Sequence, residues 1–319
     1  MTNLNLELYK KLYLVRKSEE AIIANYKDNE MRAPMHMSLG AEAIAVGVCH
    51  ALGSKAQAFI TYRSHAVYLA KSENTNDFFA ELYGKETAPA KGKAGSMHLC
   101  DPGSGIMSAS GIVASTIPVA VGAAFASREK GNGNFVAAFF GDAAVEEGVF
   151  WESVNVASLM KLPIIFVCED NGLSVHTAPE ERRGYASLTE IVSKFNCHVL
   201  QEETTDVEVI HALTRKAMHL FEETTMPVFL QLKYYRYLEH VGVHDDFYVG
   251  YRPKEAFEKW LKEKGDPLDV QKKKLLAGMN ETEIMKVERI IDQKIQHSLE
   301  LAKKAPFAPK DELYRGVFA

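Results

Sequence analysis

The sequence predicts an α/β protein: a parallel sheet with helices on both faces and helical extensions at the N- and C-terminal ends. Two uninterrupted apolar runs, Phe135–Phe140 and Ile164–Cys168, have the length and the β-branched and aromatic content of strands buried on both faces. Stretches with apolar residues at helical spacing alternate with such runs, the order expected when helices cover both sides of a parallel sheet. No internal repeat, low-complexity tract or Pro/Gly linker divides the 319 residues. Residues 1–319 are therefore expected to form one domain.

In chain order, Leu4, Leu8, Leu12, Val15, Ile22 and Ile23 place a helix over 4–28. A second helix is expected over 40–52, a short buried strand over Ala58–Thr61, and a further helix from Asn76 to near Gly84. Residues 84–111, rich in Gly, Ser, Pro and Lys, read as one long ordered loop of the kind that usually carries function. Its basic run, Lys85 to Lys93, reads as solvated rather than as a nucleic-acid patch. Small residues over 116–127 predict a helix packed closely against the sheet. Then follow a strand over 135–140, a helix near 147–160, a strand over 163–168, a helix over 206–223 and a strand over 228–233. Helices over 253–264 and 281–303 complete the chain.

Composition narrows the function. The net charge of −5 gives no support for nucleic-acid or anionic-membrane binding. The longest largely apolar stretch, 117–126, is about half a bilayer span. The N-terminal residues lack a secretory pattern, so a cytoplasmic protein is expected. Cys49, Cys100, Cys168 and Cys197 are widely spaced without a C-x-x-C, which argues against a disulfide framework and a zinc site.

The most informative stretch is Gly141 to Asn171. Gly141 and Asp142 follow one strand, Asn171 closes the next, and the Asp and Asn stand 29 residues apart with a helix between. That places both side chains at one edge of a parallel sheet. Asp and Asn supply hard oxygen ligands suited to Mg²⁺ or Ca²⁺, with a diphosphate completing the octahedron. The strand–loop–helix turn offers backbone N–H groups to phosphate. Tyr62 and Arg63 follow the Ala58–Thr61 strand, and Arg offers a forked donor to phosphate oxygens. His36 and His240 are candidates for polar chemistry at a substrate. His65, His98, His176 and His244 read as structural. Glu146 and Glu147 read as residues favouring a helix N-terminus rather than as a catalytic pair.

The Gly-Asp…Asn pattern resembles the thiamin-diphosphate motif, with one departure. Ala143 replaces the motif's second glycine, so the turn either has an ordinary φ or is slightly shifted. Further motifs follow in register: HMSLGAEA around His36, TYRSH at 61–65, KGKAGSMH at 91–98, SGIVAS at 110–115, YRYLEH at 235–240, and YR at 251–252 followed by DP at 266–267. With these, the chain resembles the alpha subunit of the thiamin-diphosphate-dependent first component of 2-oxo acid dehydrogenases, the pyruvate, branched-chain and acetoin family.

The resemblance implies the thiamin-diphosphate-binding fold, with thiamin diphosphate and Mg²⁺ as cofactors. It assigns the metal to Asp142, Asn171 and the Leu173 main-chain carbonyl. It assigns the cofactor to Tyr62, Arg63, Gly111, Val113, Gly141, Asp142, Ala143, Ala144, Asn171, Leu173 and His240, with main-chain contact to the aminopyrimidine at Gly111–Val113. His36 and His240 take catalytic roles near the cofactor and the entry channel.

The family's pyrimidine-side Glu comes from a beta subunit, and no second α/β half is evident in this chain. The implied partner is therefore a beta subunit in an α₂β₂ heterotetramer, with the helix at 116–127 as a packing surface. The implied reaction is decarboxylation of a 2-oxo acid with acyl transfer to a lipoyl-bearing acyltransferase. One further departure bears on that reaction. The family's Gly-His-Ser-x-Ser-Asp is replaced around His240, where no serine occurs from 239 to 246. Phosphorylation at those positions is excluded. Glu239, Asp245 and Asp246 alter the predicted charge of the channel and keep a second reading open, a non-oxidative carboligase or transketolase-like subunit. A third, a catalytically silent scaffold, is disfavoured by Asp142, Asn171, Tyr62 and Arg63.

Overall fold

The computed structural model describes residues 3–31 and 33–316. The ends of the expected 1–319 domain, residues 1–2 and 317–319, lie outside it. Three helices and a strand open the chain: α1 (Asn3–Tyr26), α2 (Glu42–Leu52), β1 (Gln57–Thr61) and α3 (His65–Ser72). They are followed by α4 (Thr75–Leu82), β2 (Ile106–Ser110), α5 (Thr116–Lys130), β3 (Val136–Gly141), α6 (Gly148–Met160) and β4 (Ile164–Asp170). Next come α7 (Leu188–Val192), β5 (His198–Glu203), α8 (Val207–Thr224) and β6 (Val228–Lys233). Three helices close the chain: α9 (Lys254–Lys264), α10 (Pro267–Leu276) and α11 (Glu281–Lys304).

The six strands form one sheet in the order β2-β1-β3-β4-β6-β5, parallel throughout. Period-2 alternation divides each central strand between two cores. Val136, Ala138, Phe140, Ile164, Phe166 and Phe229 face the layer of α5, α6 and α7. Ala137, Phe139, Ile165, Val167, Leu230 and Leu232 face the layer built on α1, α2, α3 and α8. Burial on both sides is why β3 and β4 read as continuous apolar runs. On α5 the small side chains Ala120 and Ala124 are fully buried against the sheet, as the small-residue pattern predicts.

The chain enters β1, crosses to β2 on one side, then returns past β1 to β3 on the other. The order therefore reverses between β1 and β3. In open α/β sheets, ligands bind in the crevice beyond the carboxyl ends of strands at such a reversal.

Three sequence-based assignments need correction. The stretch 84–111 is not loop throughout: Pro102–Ser104 forms a 3₁₀ turn and Ile106–Ser110 forms edge strand β2. Its MSAS sequence carries little apolar signal because only Ile106 is buried. The basic run is not uniformly solvated. Lys85 is buried, its ammonium 4.0 Å from the Phe307 ring centroid, and it bridges antiparallel to Phe307. The Asp266-Pro267 pair proves to be a helix start. Asp266 Oδ1 accepts from the Leu268 N–H at 2.9 Å, and Pro267 occupies the first helical position, where no N–H is needed.

Phe150 sits at the centre of an aromatic cluster with Phe140, Phe166 and Phe229, with ring centroids 5.5–6.4 Å apart, and is fully buried. Phe150→Ala is expected to destabilise the fold by about 3–5 kcal/mol in denaturant titration. A loss under about 1 kcal/mol would contradict this packing.

Candidate functional site

Beyond the reversal point lies a cavity of about 240 Å³, lined from the carboxyl ends of β1, β3 and β4. The parallel register sets its geometry. β3 pairs with β4 from Val136↔Ile164 to Gly141↔Glu169, so Asp142 and Asn171 leave the sheet at nearly one level. Tyr62 and Arg63 leave the neighbouring strand β1 on the other side of β3.

Of the sequence-predicted residues, Tyr62, Arg63, Val113, Gly141, Asp142, Ala143, Ala144, Asn171, Leu173 and His240 all line this cavity. Gly111 does not, although its neighbours Ser110 and Ile112 do. A Cβ at Gly111 would meet only the His98 ring at 3.6 Å, so no crowding demands glycine there. His36 also stands behind the lining. Its ring centroid lies 4.5 Å from Tyr62 and 5.3 Å from His240, which places it in a three-ring cluster with both. Ala143 belongs to the 3₁₀ turn Asp142–Glu146 and does not have a positive φ, so the added methyl costs the turn nothing.

Arg63 is buried and fixed by main-chain acceptors. Its Nη1 donates to the Met37 carbonyl at 2.9 Å and its Nη2 to the His240 carbonyl at 2.7 Å. Asn171 is held on both sides: its Nδ2 donates to the Tyr234 hydroxyl at 3.2 Å, and its Oδ1 accepts from the Leu173 N–H at 3.0 Å. Asp142 is 1 % exposed. Its Oδ1 is buried without a hydrogen-bond partner, while its Oδ2 pairs with Arg182 and with Arg183 Nη2, the latter at 3.0 Å. Burial, with Asp170 nearby, lifts the Asp142 carboxyl to about 6 against the pull of Arg182 and Arg183.

An unpartnered carboxylate oxygen beside a fixed Asn fits a hard divalent cation. Among the described residues no cluster of three or more His, Cys, Asp or Glu is arranged to hold a metal. A cation here therefore depends on Asp142, on neutral oxygens and on oxygens of the ligand itself.

The histidines differ sharply. Burial, then Arg63 and the neighbouring imidazoles, lowers His36 to about 3. Burial, then Arg63 and Arg236, lowers His240 to about 4. Both rings are neutral at neutral pH; His240 Nδ1 accepts from Arg63 Nη2 at 3.3 Å, which leaves the proton on Nε2. His65 is fully buried between Glu19 Oε1 at 2.6 Å and Ser96 Oγ at 2.7 Å, His176 stacks on Tyr251, and His244 is exposed. The family motifs around these rings have steric reasons. A Cβ at Gly40 (φ +99°) would lie 2.0 Å from the Tyr235 carbonyl oxygen, and one at Gly242 (φ +130°) would strike the Glu239 side chain.

The acidic loop after His240 is not an open patch of charge. Asp246 is buried and accepts from Arg252 Nε at 2.8 Å as well as from Arg236 and Tyr251. The Glu239 carboxylate accepts from the His244 N–H at 3.1 Å. Only Asp245 is exposed and free of such ties. Glu146 likewise does not simply serve a helix start, since it pairs with Arg182 and Arg183.

Sequence reasoning missed Tyr234, Glu169, Arg182 and Arg183. Tyr234 was recoverable: β4 pairs with β6 up to Asp170↔Lys233, which puts Tyr234 level with Asn171.

These features define a parallel α/β protein with a polar cavity at the carboxyl ends of its strands. The dehydrogenase E1 component family matches residues 10–310 of this chain. The Zymomonas mobilis pyruvate dehydrogenase E1 component subunit alpha is 33 % identical over 314 residues, covering 98 % of this chain and 88 % of that protein. The Rickettsia typhi protein of the same name is 31 % identical, covering 97 % and 94 %. The subunit alpha of Bacillus subtilis acetoin:2,6-dichlorophenolindophenol oxidoreductase is 27 % identical, covering 98 % and 92 %. The chain belongs to the dehydrogenase E1 component family, whose cofactor is thiamin diphosphate.

Glu169 lines the cavity and is raised by burial to about 8, so it holds its proton at neutral pH. The folded chain binds that proton between pH 4.5 and 8, whereas the unfolded chain has released it, so this group lowers stability progressively as pH rises through that window. Glu169→Gln removes the penalty. Without added metal or cofactor, the variant should gain on the wild type by up to about 1.4 kcal/mol per pH unit from pH 5 to 8 in urea titrations. A gap that stays constant with pH would contradict the assignment.

Proposed function

We propose that this chain is the diphosphate-holding alpha subunit of a two-subunit thiamin-diphosphate enzyme. It decarboxylates a 2-oxo acid, pyruvate by analogy with the Zymomonas mobilis relative, and passes the acyl unit to a lipoyl group on an acyltransferase. The observation that carries this reading is the convergence of Arg63, Asp142 and Asn171 on one cavity at the ends of three adjacent strands.

Bound thiamin diphosphate supplies the electron sink for loss of CO₂. Mg²⁺ is held by Asp142, by Asn171 and by the Leu173 carbonyl. Arg63, immobilised by two carbonyls, presents a pre-oriented cation to the diphosphate. Tyr62, Gly141, Ala143 and Ala144 complete the cradle, with Gly111 and Val113 reaching the pyrimidine through the main chain. Neutral His240, its Nδ1 engaged by Arg63, presents its Nε2–H to a substrate or its acyl acceptor, with neutral His36 packed behind it. The apolar side chains Ile112 and Val113 would exclude water once a second chain covers them.

The site is completed by a beta subunit. Ile112 is 74 % exposed at the mouth of the cavity, an apolar cost that a second chain removes. On the far side of α5, Phe125 and Val121 border an open apolar groove of about 550 Å³ shared with Val149 and Val156 of α6. An α₂β₂ assembly buries such surface. With Glu239 and Asp246 engaged in the loop's own bonds, the charge reason for a carboligase rests on Asp245 alone, which favours lipoyl transfer. The whole chain acts as one diphosphate-binding unit in the cytoplasm. Among the described residues no helix is long and apolar enough to cross a membrane.

Asp142→Ala is expected to abolish thiamin diphosphate uptake by the chain with its partner while circular dichroism stays unchanged; wild-type affinity in calorimetry refutes the metal assignment. The purified chain alone should not decarboxylate pyruvate. Reconstituted with its beta subunit, it should acylate a lipoyl domain; a hydroxyketone formed from an added aldehyde, without lipoyl acylation, overturns that reading in favour of carboligation.

A further inference from the structure

The least expected feature of the cavity is what already sits on the Asp142 carboxylate. Arg182 and Arg183 both reach it, and Arg183 Nη2 also donates to the Asp142 main-chain carbonyl at 2.8 Å. Both arginines pair in addition with Glu146, and their side chains are 8 % and 10 % exposed. Two guanidinium groups and two carboxylates thus form a neutral quartet, buried at Asp142 and the arginines and open to solvent at Glu146. Such a quartet is stable only while its charges remain matched.

A divalent cation on Asp142 breaks the match. It brings two positive charges against a carboxylate whose Oδ2 is already shared by two guanidinium groups, in a setting with little water to screen them. A diphosphate restores it. Its oxygens are the acceptors for which the planar guanidinium fork is suited, and they arrive together with the metal. The arginines therefore have a second set of partners as soon as Asp142 is taken from them.

The backbone that carries them also lines the cavity. Leu173, Ser174 and Val175 line the cavity, and the same segment continues through Pro179 to Arg182 and Arg183. Val175 has φ +56°, a left-handed conformation that a β-branched residue adopts only under constraint. Its carbonyl accepts from Arg236 at 3.4 Å, and the His176 ring stacks on Tyr251 at 4.2 Å. One strap thus links the metal-side turn after Asn171 to the arginines on Asp142.

Building on the cofactor reading above, we propose that Arg182 and Arg183 are a handover pair. They neutralise Asp142 through its Oδ2 before loading, leaving Oδ1 open to the metal, and they pass to the diphosphate when metal and cofactor enter.

The structure supplies a reporter. Arg183 lies over the Tyr185 ring at 6.0 Å, and Tyr185 meets Trp151 edge-on at 6.5 Å. The chain has two tryptophans, so Trp260→Phe leaves Trp151 alone. In that background, with the beta subunit present, Mn²⁺ alone is titrated by electron paramagnetic resonance. Thiamin diphosphate and inorganic pyrophosphate are then titrated at saturating Mn²⁺ by Trp151 fluorescence. Handover predicts effects of opposite sign in Arg182→Gln/Arg183→Gln. Mn²⁺ alone binds more tightly, because the opposing positive charges are gone, while thiamin diphosphate and pyrophosphate bind at least about tenfold more weakly. Arg182→Lys/Arg183→Lys, which keeps the charge without the fork, should lose less diphosphate affinity, and it serves if the Gln pair does not fold. Affinities that fall together, or that do not change, overturn the handover and leave a structural ion pair. A wild-type complex that takes up Mn²⁺ but neither diphosphate overturns the cofactor reading itself, and the handover with it.

Discussion

The in-register parallel pairing of β3 with β4 is the constraint on which the site depends. Six backbone pairs, Val136↔Ile164 through Gly141↔Glu169, fix the level at which the two strands end. Asp142 and Asn171 are then neighbours without any contact of their own. A one-residue slip would turn every side chain of a strand to the opposite face, and burial of both faces forbids it. Alternating core residues such as Phe139 and Phe140 therefore do more than stabilise the sheet. They set where the oxygens of the site stand. The same ladder continues to β6, so Tyr234 arrives level with Asn171 and orients its amide. Positioning on strand ends of a rigid sheet gives the oxygen set a precision that a loop alone would not.

Around that frame the site is assembled from buried charge rather than from exposed charge. Arg63 has no carboxylate partner among its hydrogen bonds; main-chain carbonyls hold it. Its field, together with burial, keeps His36 and His240 neutral. Asp142 is matched by two arginines, and Asp246 by Arg252 and Arg236. An uncompensated buried ion is far more costly than a paired one, so each of these charges dictates where another must lie. This is why Asp246 can be buried in the loop after His240.

How much was legible follows from the same physics. Strands β3, β4 and β6 were readable because both of their faces are apolar, and α6 because the helix between them could be placed by difference. Edge strands β2 and β5 were not, since MSAS and HVLQEE are largely solvated and have no pattern to betray them. Short helices such as α3 and α7 offer too few turns for a periodic signal. The residues on the turns after β1, β3 and β4 were legible because a motif sits at a strand end, a place that sequence specifies. Arg182 and Arg183 were not, because PEERRG has the composition of a surface loop; their burial arises from tertiary charge matching alone. Gly111 shows the converse: a motif glycine that the fold of this chain does not sterically require.

The geometry of exposure gives the last step. The polar end of the cavity is largely finished within this chain, where arginines donate to carbonyls and carboxylates and Asp142 Oδ1 alone of that carboxylate is left open. The apolar end is not, for Ile112 and Val113 stand open beside a left-handed Ala114 with φ +63°. Strain of that kind persists where surrounding contacts over-determine it, and Ala114, 4 % exposed, is held by the core of this chain. A ligand with a charged end and an aromatic end would thus be gripped first at its diphosphate. Its ring would be enclosed only when another surface closes over Ile112. On the two-subunit reading proposed above, this asymmetry would divide one site between two chains: the half presented here is suited to hold charge, and a second chain would cover the ring.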